Sequence, residues 1–267
     1  FIFGQILIKA KKSLGQNFLN DTKILNIIVD LVSIQNKSVL EIGPGTGNLT
    51  YHILKKNPKK LFVIEKDNIL ANNLQNKFSK QINILNEDVL KVNECLLSDE
   101  KLIVFGNLPY NISTEILSKW IIGINKKFWF DSLILMFQKE VADRIIARFN
   151  TSNYGRLSIL SNWKLNIKKI MDVDPESFSP KPKIKSTILL FKPKNDFHKI
   201  KDPKNLEKIT RIFFSHRRKM LKKPFNQVFN GNKKILDDFK LNLNLRPQNL
   251  DYETYYNLTK EYEKLIG

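Results

Sequence analysis

The stretch Ser38-Val39-Leu40-Glu41-Ile42-Gly43-Pro44-Gly45-Thr46-Gly47 decides the fold of this chain. Its first half is a mostly apolar run that predicts a buried strand, and its second half places three glycines in the turn that follows. A helix is predicted directly afterwards, from about residue 48 to residue 55. Strand, glycine-rich turn and helix in this order are typical of a doubly wound α/β sheet, in which ligands bind at the carboxyl ends of the strands.

The same alternation continues along the chain. Apolar runs predict strands at residues 61–64, 82–85, 102–105, 132–137 and 186–191, and helical spacing predicts helices at 68–78, 115–122, 140–149 and 156–163. We therefore expect an α/β domain with a mostly parallel sheet over residues 1–191. A charged break at 192–196 precedes a purely helical pattern, so residues 192–267 are expected to form a small helical domain.

The charge of the chain is strongly positive and unevenly placed. The formal net charge is +19, and residues 192–223 alone carry twelve Lys or Arg against three Asp or Glu. A localised excess of this size predicts a polyanionic partner such as nucleic acid. The residues predicted to contact RNA are Arg217, Arg218, Lys219, Lys222 and Lys223. The alternative for the Arg217-Arg218-Lys219 run is a solvated helix face.

Three features at predicted strand ends indicate a site for an adenosine-containing cofactor. Gly43, Gly45 and Gly47 allow the backbone to approach a ligand closely. Glu65 ends the next strand, where a doubly wound sheet places an acid against ribose hydroxyls. Asp88 follows the third strand and can accept a hydrogen bond from an adenine amino group. The glycine spacing is not that of the dinucleotide fingerprint.

A second polar turn, Asn107-Leu108-Pro109-Tyr110, follows another predicted strand. The Asn107 side-chain oxygen and a Leu108 or Pro109 carbonyl can accept hydrogen bonds, and Tyr110 offers a flat face to a planar substrate. The sequence shows no Ser/His/Asp arrangement, no P-loop lysine and no metal-ligand spacing. These features favour a reaction that needs little acid–base help, such as methyl transfer from a sulfonium to the exocyclic amino group of adenine.

Nine short stretches of the chain carry a resemblance to a known enzyme family. They are Leu14-Gly15-Gln16-Asn17-Phe18-Leu19, Glu41-Ile42-Gly43-Pro44-Gly45-Thr46-Gly47, Ile64-Glu65, Glu87-Asp88, Asn107-Leu108-Pro109-Tyr110, Gln138-Lys139-Glu140-Val141, Tyr154-Gly155-Arg156-Leu157-Ser158, Phe178-Ser179-Pro180-Lys181-Pro182-Lys183 and Arg217-Arg218-Lys219. In these residues and in their order, the chain resembles the small-subunit rRNA adenine N6,N6-dimethyltransferases, the bacterial KsgA family.

The resemblance implies a Rossmann-like, seven-stranded class I methyltransferase sheet with a small all-α C-terminal domain. It implies S-adenosyl-L-methionine as the cofactor, which the family holds through residues that match Asn17, Leu19, Gly43, Glu65, Asp88 and Asn107. The implied substrate is a pair of adjacent adenosines in the 3′-terminal hairpin of small-subunit rRNA, each methylated twice, on the rRNA or on an immature small ribosomal subunit. A further role in small-subunit assembly is implied by family analogy.

A base must leave its stack to be methylated, and Tyr110 and Phe178 are expected to form the two faces of its slot. The predicted catalytic set is therefore Asn107, Leu108, Pro109, Tyr110 and Phe178. The chain departs from the family at Lys222-Lys223-Pro224-Phe225, where an Asn-rich turn is usual. That departure leaves the RNA contacts of this segment open.

Two other functions stay open at this stage. A large-subunit rRNA adenine N6-methyltransferase of the resistance type shares the motifs of the first domain. A catalytically silent rRNA- or DNA-binding factor would share the fold, although the intact glycine loop with Glu65, Asp88 and Asn107 argues against lost chemistry.

The remaining expectations concern compartment and assembly. The single cysteine, Cys95, excludes an intrachain disulfide and suits a reducing compartment. The apolar opening at residues 1–8 is too short to span a bilayer and lacks the features of a signal peptide. We expect a cytoplasmic, monomeric protein that uses no metal and does not bind membranes.

Overall fold

The computed structural model describes residues 11, 15–124 and 127–267. The predictions on residues 1–10, and on Leu14 of the family stretch Leu14–Leu19, lie outside the described residues. The described ranges contain the strands β1 Phe18–Leu19, β2 Ser38–Ile42, β3 Lys60–Ile64, β4 Asn83–Leu85, β5 Leu102–Asn107, β6 Phe130–Gln138, β7 Leu165–Val173, β8 Phe178–Ser179 and β9 Ser186–Pro193. They contain the helices α1 Thr22–Asp30, α2 Asn48–Leu54, α3 Asn68–Phe78, α4 Ser113–Gly123, α5 Lys139–Ile145, α6 Arg156–Lys164, α7 Pro203–Phe214, α8 Lys222–Phe229, α9 Lys233–Asp238 and α10 Tyr252–Leu265.

Seven strands form one sheet in the order β4-β3-β2-β5-β6-β9-β7. The five strands from β4 to β6 are parallel to their neighbours, and β9 runs antiparallel to β6. All five residues of β2 are buried, as expected for a central strand that is covered on both faces. The seven-stranded α/β fold is thereby confirmed.

The register of the sheet brings the predicted site residues to one edge. Ile42, the last residue of β2, lies opposite Ile64 of β3 and Gly106 of β5. The loops that leave these three strands therefore begin side by side. Gly43 and Glu65 directly follow β2 and β3, and Asn107 is the last residue of β5. All three residues therefore lie at the carboxyl edge of the parallel strands, as their positions in the sequence predict.

Short helices α1 and α3 are fixed at their start by aspartates. Asp21 caps α1 by accepting hydrogen bonds from the backbone N–H groups of Lys23 and Ile24 at 2.9 and 3.3 Å. Asp67 caps α3 in the same way. The buried side of α1 packs its apolar residues into the main core cluster: Ile24, Leu25, Ile28 and Val29.

The packing divides the chain into two units. Of the described residues, the first unit comprises 11, 15–116, 127–139 and 169–192, and the second comprises 117–124, 140–168 and 193–267. The second unit therefore includes two segments that precede residue 192 in the sequence. The division into domains 1–191 and 192–267 stays a prediction.

The second unit is helical over residues 193–267. Asp202 caps α7 by accepting a hydrogen bond from the Lys204 N–H at 2.9 Å, and Pro203 occupies the first helical position. Phe213 of α7 and Tyr255 of α10 are buried and meet edge to face with ring centroids 5.7 Å apart. This aromatic contact holds the two long helices of the unit together.

Strand β7 was not predicted from the sequence, and neither was α8. β7 is the last strand of the sheet, and most of its nine residues are exposed or half-buried, among them Lys168 and Lys169. It therefore lacks the apolar run that identified the central strands.

Within the described ranges, no helix has both the length and the apolar character needed to cross a lipid bilayer.

Candidate active site

A cavity lies at the carboxyl edge of the sheet, within the first unit. Its lining includes ten of the predicted cofactor and catalytic residues: Asn17, Leu19, Gly43, Gly45, Glu65, Asp88, Asn107, Leu108, Pro109 and Tyr110. Gly47 and Phe178 are described by the structure but lie outside this lining. The fold thus gathers the predicted cofactor groups and the predicted substrate groups around one space.

The glycine loop needs glycine for three different reasons. Gly43 and Gly45 have φ angles of +63° and +59°, a region that other residues rarely adopt. A Cβ on Gly45 would also lie 2.7 Å from the ring of Phe18. Gly47 begins α2 with φ +79°, and its Cβ would collide with the side chains of Leu74 and Phe78. Gly47 therefore serves packing here, and its predicted cofactor contact stays a prediction.

Two backbone N–H groups fix the Glu65 carboxylate in position as a hydrogen-bond acceptor. Its Oε2 accepts from the Gly45 N–H at 3.2 Å, and its Oε1 accepts from the Asp67 N–H at 2.9 Å. Burial raises the pKa of Glu65, and these backbone hydrogen bonds partly offset that rise. Each carboxylate oxygen has two acceptor positions, so each keeps one for a further donor such as a ribose hydroxyl.

Glu41 is a second buried acid of the cavity, and sequence reasoning gave it no role. It lies in β2, is 1% exposed, and accepts a hydrogen bond from the Thr50 hydroxyl at 2.6 Å. Burial raises its pKa to about 8. The signal that could have identified it is an acidic residue inside an otherwise apolar strand that leads into the glycine loop.

Asp88 is charged and positioned by its neighbours. The Lys66 ammonium donates to its Oδ2 at 2.8 Å, and the Leu90 N–H donates to its Oδ1 at 3.0 Å. The hydrogen bond from Lys66 is the main reason why the pKa of Asp88 lies below its usual value. A carboxylate in this state accepts hydrogen bonds, which is what an adenine amino group requires.

The side-chain amide of Asn107 has a defined orientation. Its Nδ2 donates to the backbone carbonyl of Asn17 at 2.7 Å. Because a carbonyl can only accept, the NH2 group must face Asn17, and the oxygen Oδ1 must be the atom on the other side. The predicted role of Asn107 as an acceptor therefore agrees with the way its donor is engaged.

The rest of the turn is ordered by local contacts. The Pro109 carbonyl accepts from the Ile112 N–H at 3.1 Å, and Leu108 is buried. The Tyr110 hydroxyl lies 2.7 Å from the Ser186 hydroxyl at the start of β9. Burial raises the pKa of Tyr110, so the phenol stays neutral, and the hydrogen bond to Ser186 restrains the ring. Ser186 is a site residue that sequence reasoning missed.

Phe178 is buried beside the cavity-lining residue Leu19. It pairs with Leu19 in the two-stranded sheet of β1 and β8, is 5% exposed, and belongs to the main core cluster. The aromatic ring thus packs in the core next to a cavity-lining residue. Its predicted contact with a flipped base stays a prediction.

The five basic residues predicted to contact RNA divide into two groups by their exposure. Arg217 is half-buried, and its guanidinium donates to the carbonyls of Thr151 and Ser152 and to the side chain of Gln248. The other four are exposed: Arg218, Lys219, Lys222 and Lys223. We call them the basic turn, which comprises two residues of the turn before α8 and the first two residues of α8.

The interpretation of the Arg217-Arg218-Lys219 run as part of a helix was wrong. Helix α7 ends at Phe214 and α8 begins at Lys222, so the run lies in the turn between them. A turn presents successive side chains in more directions than a helix face does, which is how Arg217 points inward while Arg218 is exposed.

Comparisons with known proteins agree with this geometry. The family model for the ribosomal RNA adenine dimethylases matches residues 7–264. A relative from Pelagibacter ubique (strain HTCC1062), named ribosomal RNA small subunit methyltransferase A, is 68% identical over 262 residues, which cover 98% of this chain and 100% of the relative. A relative with the same name from Wolbachia sp. subsp. Drosophila simulans (strain wRi) is 42% identical over 266 residues, which cover 98% of this chain and 97% of the relative.

Two solved structures are similar over nearly the whole chain. A dimethyladenosine transferase from Plasmodium falciparum has a TM-score of 0.74 at 27% identity, covering 92% of this chain and 98% of that one. The 23S rRNA methyltransferase ErmE has a TM-score of 0.66 at 21% identity, covering 92% and 99%, and it shares the fold. Because the family model matches residues 7–264 and the Pelagibacter relative is 68% identical over 98% of this chain, the chain belongs to the ribosomal RNA adenine dimethylase family.

Proposed function

We propose that this chain transfers methyl groups from S-adenosyl-L-methionine to N6 of two adjacent adenosines in the 3′-terminal hairpin of small-subunit rRNA, until each amino group carries two. The observation that carries the proposal is the Asn107 amide, whose NH2 group is bound to Asn17. This leaves an oriented oxygen acceptor in the cavity that also contains the glycine loop, Glu65 and Asp88.

The cavity residues fit S-adenosyl-L-methionine. Gly43 and Gly45 present bare backbone to the cavity, and a Cβ at Gly45 would collide with the ring of Phe18. Glu65 is the acceptor for the ribose hydroxyls, and Asp88 is the acceptor for the adenine amino group. When bound, this cofactor supplies an electrophilic methyl group on a positively charged sulfur.

The chain's own contribution to the reaction is positioning and electrostatics. The lone pair of an adenine amino group is delocalised into the ring, so the amino nitrogen is a poor nucleophile. Each transfer replaces one N–H of this amino group, with the proton lost to solvent. Asn107 Oδ1 and a Leu108 or Pro109 carbonyl accept hydrogen bonds from both N–H groups in the first transfer and from the one that remains in the second. This turns the lone pair out of the ring plane and offsets the positive charge that develops on nitrogen. Tyr110, fixed through Ser186, provides a flat contact for the base.

The basic turn is proposed to bind rRNA phosphates. Its four cations are exposed and lie close together in sequence, whereas Arg217 is engaged within its own unit. Cations that contact phosphates add affinity that falls with salt concentration. We also propose that the substrate is an immature small ribosomal subunit, that the chain assists small-subunit assembly, and that it works as a monomer in the cytoplasm.

The test is methyl transfer to defined ribosomal particles. The chain is incubated with S-adenosyl-L-methionine labelled in its methyl group, together with small or large subunits from a strain that lacks these methylations. Label on two adjacent adenosines of the small-subunit 3′ hairpin is the expected result. Label confined to large-subunit rRNA would identify the resistance-type activity, and RNA binding without label would identify a silent binding factor. Asn107→Ala serves as the variant that binds but transfers slowly.

A further inference from the structure

A short segment, residues 15–19, runs along the cofactor cavity, and we call it the strap. All five of its residues line the cavity: Gly15, Gln16, Asn17, Phe18 and Leu19. Its end is fixed by β1, where Leu19 pairs with Phe178 of β8. The ring of Phe18 lies against Gly45, so the strap covers the glycine loop.

Asp67 holds the other end of the strap. The Lys11 ammonium lies 2.7 Å from Asp67 Oδ2, and the Gln16 side-chain amide donates to the same oxygen at 3.5 Å. The Lys11 N–H also donates to Gln16 Oε1 at 2.7 Å, so the two residues approach Asp67 together. The Asp67 side chain is 3% exposed, whereas that of Lys11 is 46% exposed.

Asp67 reaches the cofactor site as well. Its backbone N–H donates to Glu65 Oε1 at 2.9 Å, and its Oδ1 caps α3 by accepting from the Ile69 N–H at 2.9 Å. The strap in turn contacts the other end of the site, because the Asn17 carbonyl accepts from Asn107. One continuous set of hydrogen bonds therefore connects the ribose acid, the strap and the amide that faces the substrate.

We propose that Asp67 is a positioning residue that keeps the strap closed over the bound cofactor, with Lys11 as its ionic partner. This inference rests on the proposed function, since it concerns the same cofactor site. A cofactor that binds under a closed strap leaves only after the strap opens. Removing the ion pair therefore raises the fraction of open strap, speeds cofactor release and raises the apparent Kd.

Lys11→Met tests the ion pair without disturbing the cap of α3. We expect S-adenosylhomocysteine, the product form of the cofactor, to dissociate about tenfold faster, as follows from losing a charge-assisted hydrogen bond to a buried carboxylate. Stopped-flow displacement measures this rate. Lys60→Met is the matched control, because Lys60 is exposed and lies at the opposite end of β3 from Glu65. We expect that control to match the wild type.

Salt and a second substitution separate the ion pair from a general loss of structure. Release from the wild type should speed up with added salt, because Lys11 is partly exposed, whereas release from Lys11→Met should be insensitive. Asp67→Asn keeps an acceptor for the cap, and its effect should not add to that of Lys11→Met. Lys11→Arg should restore slow release.

A wild-type release rate in Lys11→Met would overturn the proposal that Lys11 and Asp67 keep the strap closed. Additive effects of Lys11→Met and Asp67→Asn in the double variant would overturn it as well. A wild-type chain that neither binds the cofactor nor transfers methyl groups would instead overturn the proposed function.

Discussion

Replacing Asn107 by alanine removes two interactions that the structure keeps distinct. The first is made by the oxygen Oδ1, the proposed acceptor for the substrate amino group. The second is the hydrogen bond from Nδ2 to the Asn17 carbonyl, 2.7 Å long, which ties the strap to the catalytic turn. The substitution is expected to affect kcat through the first interaction and cofactor affinity through the second.

The two effects differ in size. Loss of one preorganised polar partner of a transition state costs roughly 10²–10³ in kcat. Loss of one neutral hydrogen bond that also exists in the ground state costs about 1 kcal/mol, or about fivefold in Kd. We therefore expect kcat to fall at least a hundredfold, while the affinity for S-adenosyl-L-methionine falls about fivefold.

The assay measures both quantities on one preparation. Single-turnover methyl transfer at saturating cofactor gives the rate of the chemical step, and calorimetric titration with S-adenosylhomocysteine gives Kd. Asn72→Ala is the matched control, since Asn72 is exposed on α3 and outside the cavity lining. A single-turnover rate within threefold of wild type would refute the acceptor role. A weakened Kd alone would show that Asn107 only secures the strap.

Four further outcomes are expected. Ser186→Ala frees the Tyr110 hydroxyl and should slow methyl transfer about fivefold, with little change in thermal stability. Glu41 has a folded-state pKa of about 8 against an ordinary 4.5, so the folded chain holds a proton that the unfolded chain releases. Stability therefore falls as pH rises from about 4.5 through about 8, and Glu41→Gln should flatten this fall in denaturant unfolding measured across that window. Replacing the four residues of the basic turn by glutamine should flatten the salt dependence of rRNA binding, by about 0.7–0.9 in slope for each phosphate that is no longer neutralised; an unchanged slope would make the turn a solvated surface. Arg217→Gln should instead lower the unfolding temperature, because Arg217 holds carbonyls of its own unit.

The sheet could be predicted because its central strands are buried on both faces. β2 and β5 are mostly apolar runs; β2 is followed directly by Gly43, and β5 ends with Gly106 and Asn107, which mark the edge of the sheet. β7 could not be found in this way, because an edge strand buries few of its side chains. Helix α8 was missed because it begins with two lysines and a proline, which resemble a loop until proline is recognised as a first-turn residue.

The candidate site was predictable to the extent that it depends on strand ends. Gly43, Glu65, Asp88 and Asn107 each lie at or just after the end of a strand, so alternation of strands and helices places them at one edge. Interactions between distant segments left no local signal. The Tyr110–Ser186 hydrogen bond joins residues 76 positions apart, and the Asn107–Asn17 bond joins residues 90 positions apart. Such pairs follow from packing, which short patterns in a sequence do not encode.

The Asn107–Asn17 hydrogen bond changes what the catalytic turn is expected to do. From the sequence, Asn107 is an acceptor in a strand-to-helix turn. In the structure, its NH2 group donates to the Asn17 carbonyl of the strap, and the strap contacts Asp67 through Gln16. Cofactor closure and amino-group recognition thus share one amide side chain. Lys11→Met removes an ionic contact of the strap and should therefore make the orientation of Asn107 Oδ1 less well defined. We expect its single-turnover rate at saturating cofactor to fall, although less than that of Asn107→Ala.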